Sequence, residues 1–294
     1  MRSVHLLAAL GIVAIWGFNF VVIRLGLNHM PPLLLCALRF SLAAFPAVLF
    51  VRRPRVPLGL IVAYGLVTFG LQFALLFSGV HLGVSPGLAS LVLQLQAFMT
   101  MALSAAFFKE RPSRYQIAGA VIAFFGIVIV AANLGRDVSA SGLCAVILAA
   151  FSWAGGNVIA KRMGKVNMFA MVVWGSLVAA APMFVLSLLF EGPARIAESF
   201  VLVSWNAVAA IAYLVYPTTL LGFAVWNWLL SRYPAATVAP LTLMVPVFGM
   251  ASSLAVLGEE LQPWKVCAFA CVILGLSVNL FGARILPRLS GARQ

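Results

Sequence analysis

Arg39 is the residue whose placement most needs a chemical reason. It stands about seven residues inside a long apolar run with no acid beside it. A buried cation costs roughly 3 kcal/mol on membrane-insertion scales, so a guanidinium there is a functional candidate. Its planar fork suits a carboxylate, and snorkelling to an interface or bonding freed backbone carbonyls are the structural alternatives. Trp16, Asn19, Phe20 and Ile23 follow an i, i+3, i+4, i+7 spacing, which sets an amide beside an indole on one helical face. Trp153 and Asn157, at i and i+4, repeat the arrangement. An amide both donates and accepts, which fits a zwitterion or small polar solute; the structural alternative is a contact between helices, worth about 0.6 kcal/mol on average. Gln94 and Gln96 are two residues apart, hence about 200° apart on a helix, so at most one faces a shared cavity. Gln72, Ser78, Thr100 and Ser104 are weaker candidates. Tyr213, Tyr216, Thr219 and Trp226 lie near one stripe that lines a passage or packs. Pro217, Pro240 and Pro246 nearby each free a carbonyl and supply a possible hinge.

Other chemistries lack their residues. His5, His29 and His81 fall near the ends of apolar runs, and no Ser/His pair, paired aspartates or His-Glu-x-x-His stretch occurs within one, so an enzyme is not expected. No metal site and no cofactor are expected either. Cys36, Cys144, Cys267 and Cys271 resemble neither a disulfide framework nor a metal ribbon; Cys267, Cys271 and Gly275 instead suggest a ridge of small residues for close helix packing.

The elements that position these side chains follow from composition. A chain 64% hydrophobic and 9% charged, with mean hydropathy +1.12, is far more apolar than a soluble domain. Apolar runs fall at 5–27, 32–51, 58–80, 86–108, 115–132, 141–160, 167–190, 205–230, 234–257 and 264–282, and each reads as a helix because open strands cannot cross hydrocarbon. The first run carries Trp16 and Asn19 and no small-residue cleavage site, so it reads as a retained span rather than a signal peptide. The formal charge of +13 does not point to nucleic acid. With the N-terminus inside, fourteen of the nineteen Lys and Arg fall on one side. Only Arg24, Arg136, Arg195 and Lys265 fall on the other, and Arg39 alone lies within a span. This bias predicts that both termini are cytoplasmic.

The halves match each other. Tyr64 and Tyr213, Glu110 and Glu259, and Gly126 and Gly275 are each 149 positions apart; Trp16 and Trp153, and Arg24 and Lys161, are each 137 apart. Five spans per half is an odd number, so the second half enters the membrane from the opposite side. The expectation is an all-α membrane protein of ten transmembrane helices, arranged as two inverted five-helix repeats over 1–136 and 137–294 around a midplane site. All six acids fall in loops or at helix ends, so no mid-membrane carboxylate is at hand to carry a proton.

The stretches Ala14-Ile15-Trp16-Gly17-Phe18-Asn19-Phe20, Leu38-Arg39-Phe40, Gly87-Leu88-Ala89-Ser90-Leu91-Val92-Leu93-Gln94 and Phe151-Ser152-Trp153-Ala154-Gly155-Gly156-Asn157 resemble the EamA family of the drug/metabolite transporter superfamily, nearly end to end. The resemblance implies an inner-membrane carrier that exports small metabolites, with members handling cysteine and O-acetylserine the nearest in character. It also brings protons into question as a counter-ion, against facilitated efflux. Other amino acids or drugs in the same frame, a lipid flippase and a channel are the alternative functions. The expected substrate-binding residues are Trp16, Asn19, Trp153, Asn157, Tyr213 and one of Gln94 or Gln96, with Arg39 as a carboxylate partner. The expected partners are a small-molecule substrate and the lipid bilayer.

Overall fold

A computed structural model describes residues 1–135, 138–201 and 204–290, excepting the side chains of 235, 236 and 283–290. Among these residues, ten helices are long and apolar enough to cross a membrane. They are α1 (Ser3–Leu27), α2 (Pro32–Phe50), α3 (Leu58–His81), α4 (Pro86–Phe108), α5 (Arg114–Ala131), α6 (Ala140–Met163), α7 (Met168–Phe190), α8 (Trp205–Arg232), α9 (Ala239–Leu257) and α10 (Pro263–Ser290). A short helix, Pro193–Val201, lies between α7 and α8. Arg136 lies outside the described residues, as does Asp137.

Local chemistry sets the helix starts. Pro32 and Pro86 occupy first turns, where the missing N–H costs nothing. Ser85, Ser139, Asn167 and Ser204 each accept a hydrogen bond from the backbone three residues on, and Ser113 with Gln116 forms a full capping box. At the other end, α4 and α9 both finish in a left-handed residue, Lys109 at φ 55° and Gly258 at φ 64°, each followed by a glutamate. Gly258 adopts this φ freely, whereas a side chain at Lys109 makes it uncommon.

Irregularities occur in pairs at nearly the same separation as the sequence matches. Both α3 and α8 open into π-helix, over Gly65–Leu71 and Leu214–Leu221. Both α4 and α9 tighten into 3-10 turns, over Leu93–Leu95 and Ala239–Leu243. Proline accounts for only part of this: Pro217 lies in the second π segment and Pro240 in the second 3-10 segment, but neither counterpart in the first half contains proline. Pro246 continues within regular helix.

Small residues let backbones approach where lipid-facing helices have no hydrophobic drive to associate. A Cβ on Gly275 would stand 2.5 Å from the Gly119 carbonyl, so α5 and α10 meet almost backbone to backbone. Cys271 joins that contact through Gly126, whereas Cys267 is exposed, so the small-residue ridge runs through Cys271 and Gly275 and leaves Cys267 aside.

One face of the bundle carries the N-terminus, the Glu110–Lys161 pair and the His5–Tyr233 hydrogen bond; we refer to it as the terminal face, and to its opposite as the distal face. On the distal side, the start of α4 (Pro86–Val92) packs directly on α9, and α1 packs along α9 through Gly17 and Gly249. On the terminal side, the continuation of α4 (Gln96–Phe108) diverges from the described start of α9 (Ala239–Leu243). α4 and α9 are thus together on the distal side and apart on the terminal side.

Candidate functional site

The π-helical segment of α8 gathers three of the expected residues. Arg39 does not snorkel: it is 2% exposed. Its Nε and Nη2 donate to Thr219 Oγ1 at 3.3 and 3.2 Å, and that hydroxyl donates on to the Leu214 carbonyl at 2.8 Å. Aromatic rings complete the surroundings, with the guanidinium carbon 4.4 Å from the centre of Phe73 and 5.4 Å from that of Phe40. Nη1 is buried and has no partner. Among the described residues the ion pairs are Lys161–Glu110 and Lys265–Glu259, so the charge of Arg39 is uncompensated.

Trp16 of α1 donates from Nε1 to the Thr218 carbonyl at 3.0 Å, and its rings pack on Phe223 and Trp226 at centroid distances of 5.6 and 5.1 Å. Tyr213 donates to the Ile15 carbonyl at 3.0 Å and stands edge-on to Phe18. The expected stripe of Tyr213, Tyr216, Thr219 and Trp226 does not hold together. A π-turn carries more residues per turn than an α-helix and shifts the register of the residues C-terminal to it, so Tyr216 is exposed while Thr219 is buried against Arg39.

A second polar group forms between α4 and α6. Asn157 donates from Nδ2 to Gln96 Oε1 at 2.9 Å and to Thr100 Oγ1 at 3.0 Å. Gln96 is therefore the member of the Gln94/Gln96 pair that joins Asn157, while Gln94 is buried apart from it. Trp153 is half-buried in apolar packing. Asn19 is buried with its Oδ1 unpartnered, and so does not form the same contacts as Asn157.

The two groups are joined through the paired π segments. Ser152 of α6 donates to the Val67 carbonyl in the α3 segment at 2.7 Å, much as Trp16 of α1 donates to Thr218 in the α8 segment. Phe69 and Phe223, one from each helix, stand 6.5 Å apart between them. The halves differ at one telling position: 137 residues beyond Arg39 is Ser176, a buried hydroxyl without a partner. The guanidinium is thus unmatched at the spacing that pairs Trp16 with Trp153. Thr218, whose Oγ1 is buried without a partner, is a further residue that sequence reasoning passed over; its one legible sign is the Thr218-Thr219 pair after Pro217.

Comparison with known proteins identifies the frame. The model of the EamA-like transporter family matches residues 3–132 and 140–281. The chain belongs to this family. A probable amino-acid metabolite efflux pump of Salmonella typhimurium (strain LT2) is 45% identical over 96% of this chain and 97% of its own length. A protein of the same description from Escherichia coli (strain K12) is 42% identical over 94% of each chain. A solved crystal structure aligns over 98% of this chain and 99% of its own with a TM-score of 0.67 at 21% identity, a likeness of fold. As an EamA-like protein the chain is a membrane transporter, and the ten spans are its transport frame.

Proposed function

We propose that this EamA-like protein exports small amino-acid metabolites, such as cysteine or O-acetylserine, across the bacterial inner membrane by alternating access. The observation that carries the reading is Arg39: a buried guanidinium without an acid, presenting an unpartnered Nη1 beside the α8 π segment. Three of its five N–H donors remain unspent after Thr219 is satisfied, enough to receive a carboxylate bidentately. Trp16, Asn19, Trp153, Asn157, Tyr213 and Gln96 form the rest of the recognition surface. The names of the two relatives above 40% identity support an amino-acid cargo.

In this reading the terminal face is cytoplasmic, because the basic residues concentrate there. The splay between α4 and α9 is then the cytoplasmic entrance, and closure of that splay with opening of the distal contact releases cargo outside. The paired π, 3-10 and left-handed features support two inverted repeats over 1–136 and 137–294. The described acids, Glu110, Glu191, Glu198, Glu259 and Glu260, lie outside the ten spans, which favours facilitated efflux over proton exchange.

Flux in proteoliposomes tests the reading. Cysteine and O-acetylserine are expected to show saturable transport with trans-stimulation, whereas their decarboxylated amines compete poorly. Equal competition by the amines would overturn carboxylate recognition, and acceleration by a pH gradient would overturn facilitated efflux.

A further inference from the structure

The two glutamates that end α4 and α9 make different contacts, although they are counterparts in the repeat. Glu110, at the terminal face, takes the Lys161 ammonium at 2.5 Å in a solvated pair with side chains 53% and 43% exposed. Glu259, at the distal face, has a side chain 8% exposed and bound on both oxygens: Oε1 receives Ser85 Oγ and Lys265 Nζ, the latter at 3.1 Å, and Oε2 receives Ser253 Oγ at 2.5 Å and the Gly87 N–H at 3.3 Å. Four donors fill the capacity of a carboxylate. The knot ties the start of α4 to the end of α9 and to α10.

Arg24 is the repeat counterpart of Lys161, as Glu259 is of Glu110. Arg24 makes no ion pair or side-chain hydrogen bond among the described residues. It nevertheless lines the same distal cavity as Glu259, a space of about 350 Å³. The counterpart of Lys265 is Gln116, which spends its oxygen on the Ser113 N–H in the capping box of α5, so nothing equivalent draws Glu110 inward. The face where α4 and α9 meet thus has its glutamate buried by Lys265 and the α4 start. The face where they part has its glutamate on the cation at the end of the first helix of the repeat.

Resting on the alternating-access reading above, we infer that Glu259 is the positioning residue of the distal gate, bound to Ser85 and Gly87 of the α4 start when the gate is closed and to Arg24 when it is open, with Lys265 and Ser253 beside it throughout. The two sets exclude each other. Withdrawal of the α4 start removes Ser85 and Gly87, leaving the carboxylate short of donors with the guanidinium of Arg24 across the cavity. While the knot holds, no lone pair is left for Arg24.

The test uses the full chain in lipid nanodiscs. The native cysteines are replaced by Ala, and Met250→Cys, buried against Gly87 where the α4 start packs on α9, reports opening through its rate of maleimide labelling. Removing the open-state partner with Arg24→Gln is expected to slow labelling about five-fold, the worth of one partly exposed ion pair, and Arg24→Lys is expected to restore it, as Lys161 does in the other repeat. Ser85→Ala removes one of the two donors that opening must break and is expected to speed labelling about two-fold. Arg24→Gln labelling at the parental rate or faster would overturn the inference, because a merely structural Glu259 knot does not involve Arg24. Labelling is read without cargo, so failure of the parent to move an amino acid in proteoliposomes would overturn the cargo reading and leave the gate result intact.

Discussion

Replacing Arg39 with Gln removes the charge and keeps a polar side chain in a site that is 2% exposed. On the ground-state side, the protein loses two hydrogen bonds to a single hydroxyl, about 1 kcal/mol together, and a contact with the Phe73 face worth about 1–2 kcal/mol. It also sheds an uncompensated cation costing roughly 3 kcal/mol. These nearly cancel, so thermal stability in detergent should stay within a few degrees of the parent. Cargo binding is not balanced in this way. A carboxylate spanning Nη1 and the spare Nη2 donor gains roughly 2–3 kcal/mol that Gln cannot supply, so the dissociation constant for an α-amino acid should rise about 30- to 150-fold. The assay is equilibrium binding, by scintillation proximity or calorimetry, of cysteine and of cysteamine, which lacks the carboxylate. The amino acid should weaken and the amine should not. Equal weakening of both, or an unchanged constant for cysteine, would refute the assignment of Arg39 to the carboxylate.

Three further outcomes are expected from the structure. Burial raises the Glu259 carboxyl, but hydrogen bonds from Ser253 and Ser85 and the Lys265 charge outweigh it and hold it below its ordinary value of 4.5. The stability it lends is therefore whole above about pH 4.5 and is lost as pH falls through the lower folded value, so thermal unfolding of Glu259→Gln should approach the parental profile on acidification. Gly275→Leu places a Cβ 2.5 Å from the Gly119 carbonyl and 2.8 Å from the Ala123 nitrogen; because both are backbone, α5 and α10 must part, at about 1–3 kcal/mol, seen as a lowered unfolding temperature. Thr218→Val removes a buried hydroxyl without a partner and should leave stability unchanged or higher, and a loss of cargo affinity in that stable variant would mark Thr218 as a ligand.

The spans were legible because twenty-residue apolar runs have few alternatives in hydrocarbon, and their ends were marked by caps such as Ser85 and Ser139. Arg39 and Asn157 stood out as polar groups on apolar faces; the structure puts Arg39 on Thr219 with Nη1 left over, and Asn157 on Gln96 and Thr100. The π segments left little trace. Gly65–Leu71 reads as ordinary helix, and only the second segment carries a local mark, Pro217; what the two segments share is a carbonyl taken by a neighbouring helix, Val67 by Ser152 and Thr218 by Trp16, a tertiary contact that local pattern does not show. The π-turn defeated the Tyr213–Trp226 stripe, since periodicity holds only while the turn stays at 3.6 residues. Lys265 was expected among scattered outer cations and is instead buried in the Glu259 knot; its partner is close in sequence, but the burial comes from Ser85, 180 positions away.

The lone guanidinium also has an electrical meaning. Among the described residues Arg39 is the only fixed charge deep within a span, and each elementary charge moved through 100 mV is worth about 2.3 kcal/mol. A zwitterion adds no net charge, so the empty and loaded carriers present the same single positive charge to the membrane field, and a cycle that moves only zwitterion displaces none. Steady current during transport would have to come from a second ion, which makes current on a supported membrane a count of anything that travels with the cargo.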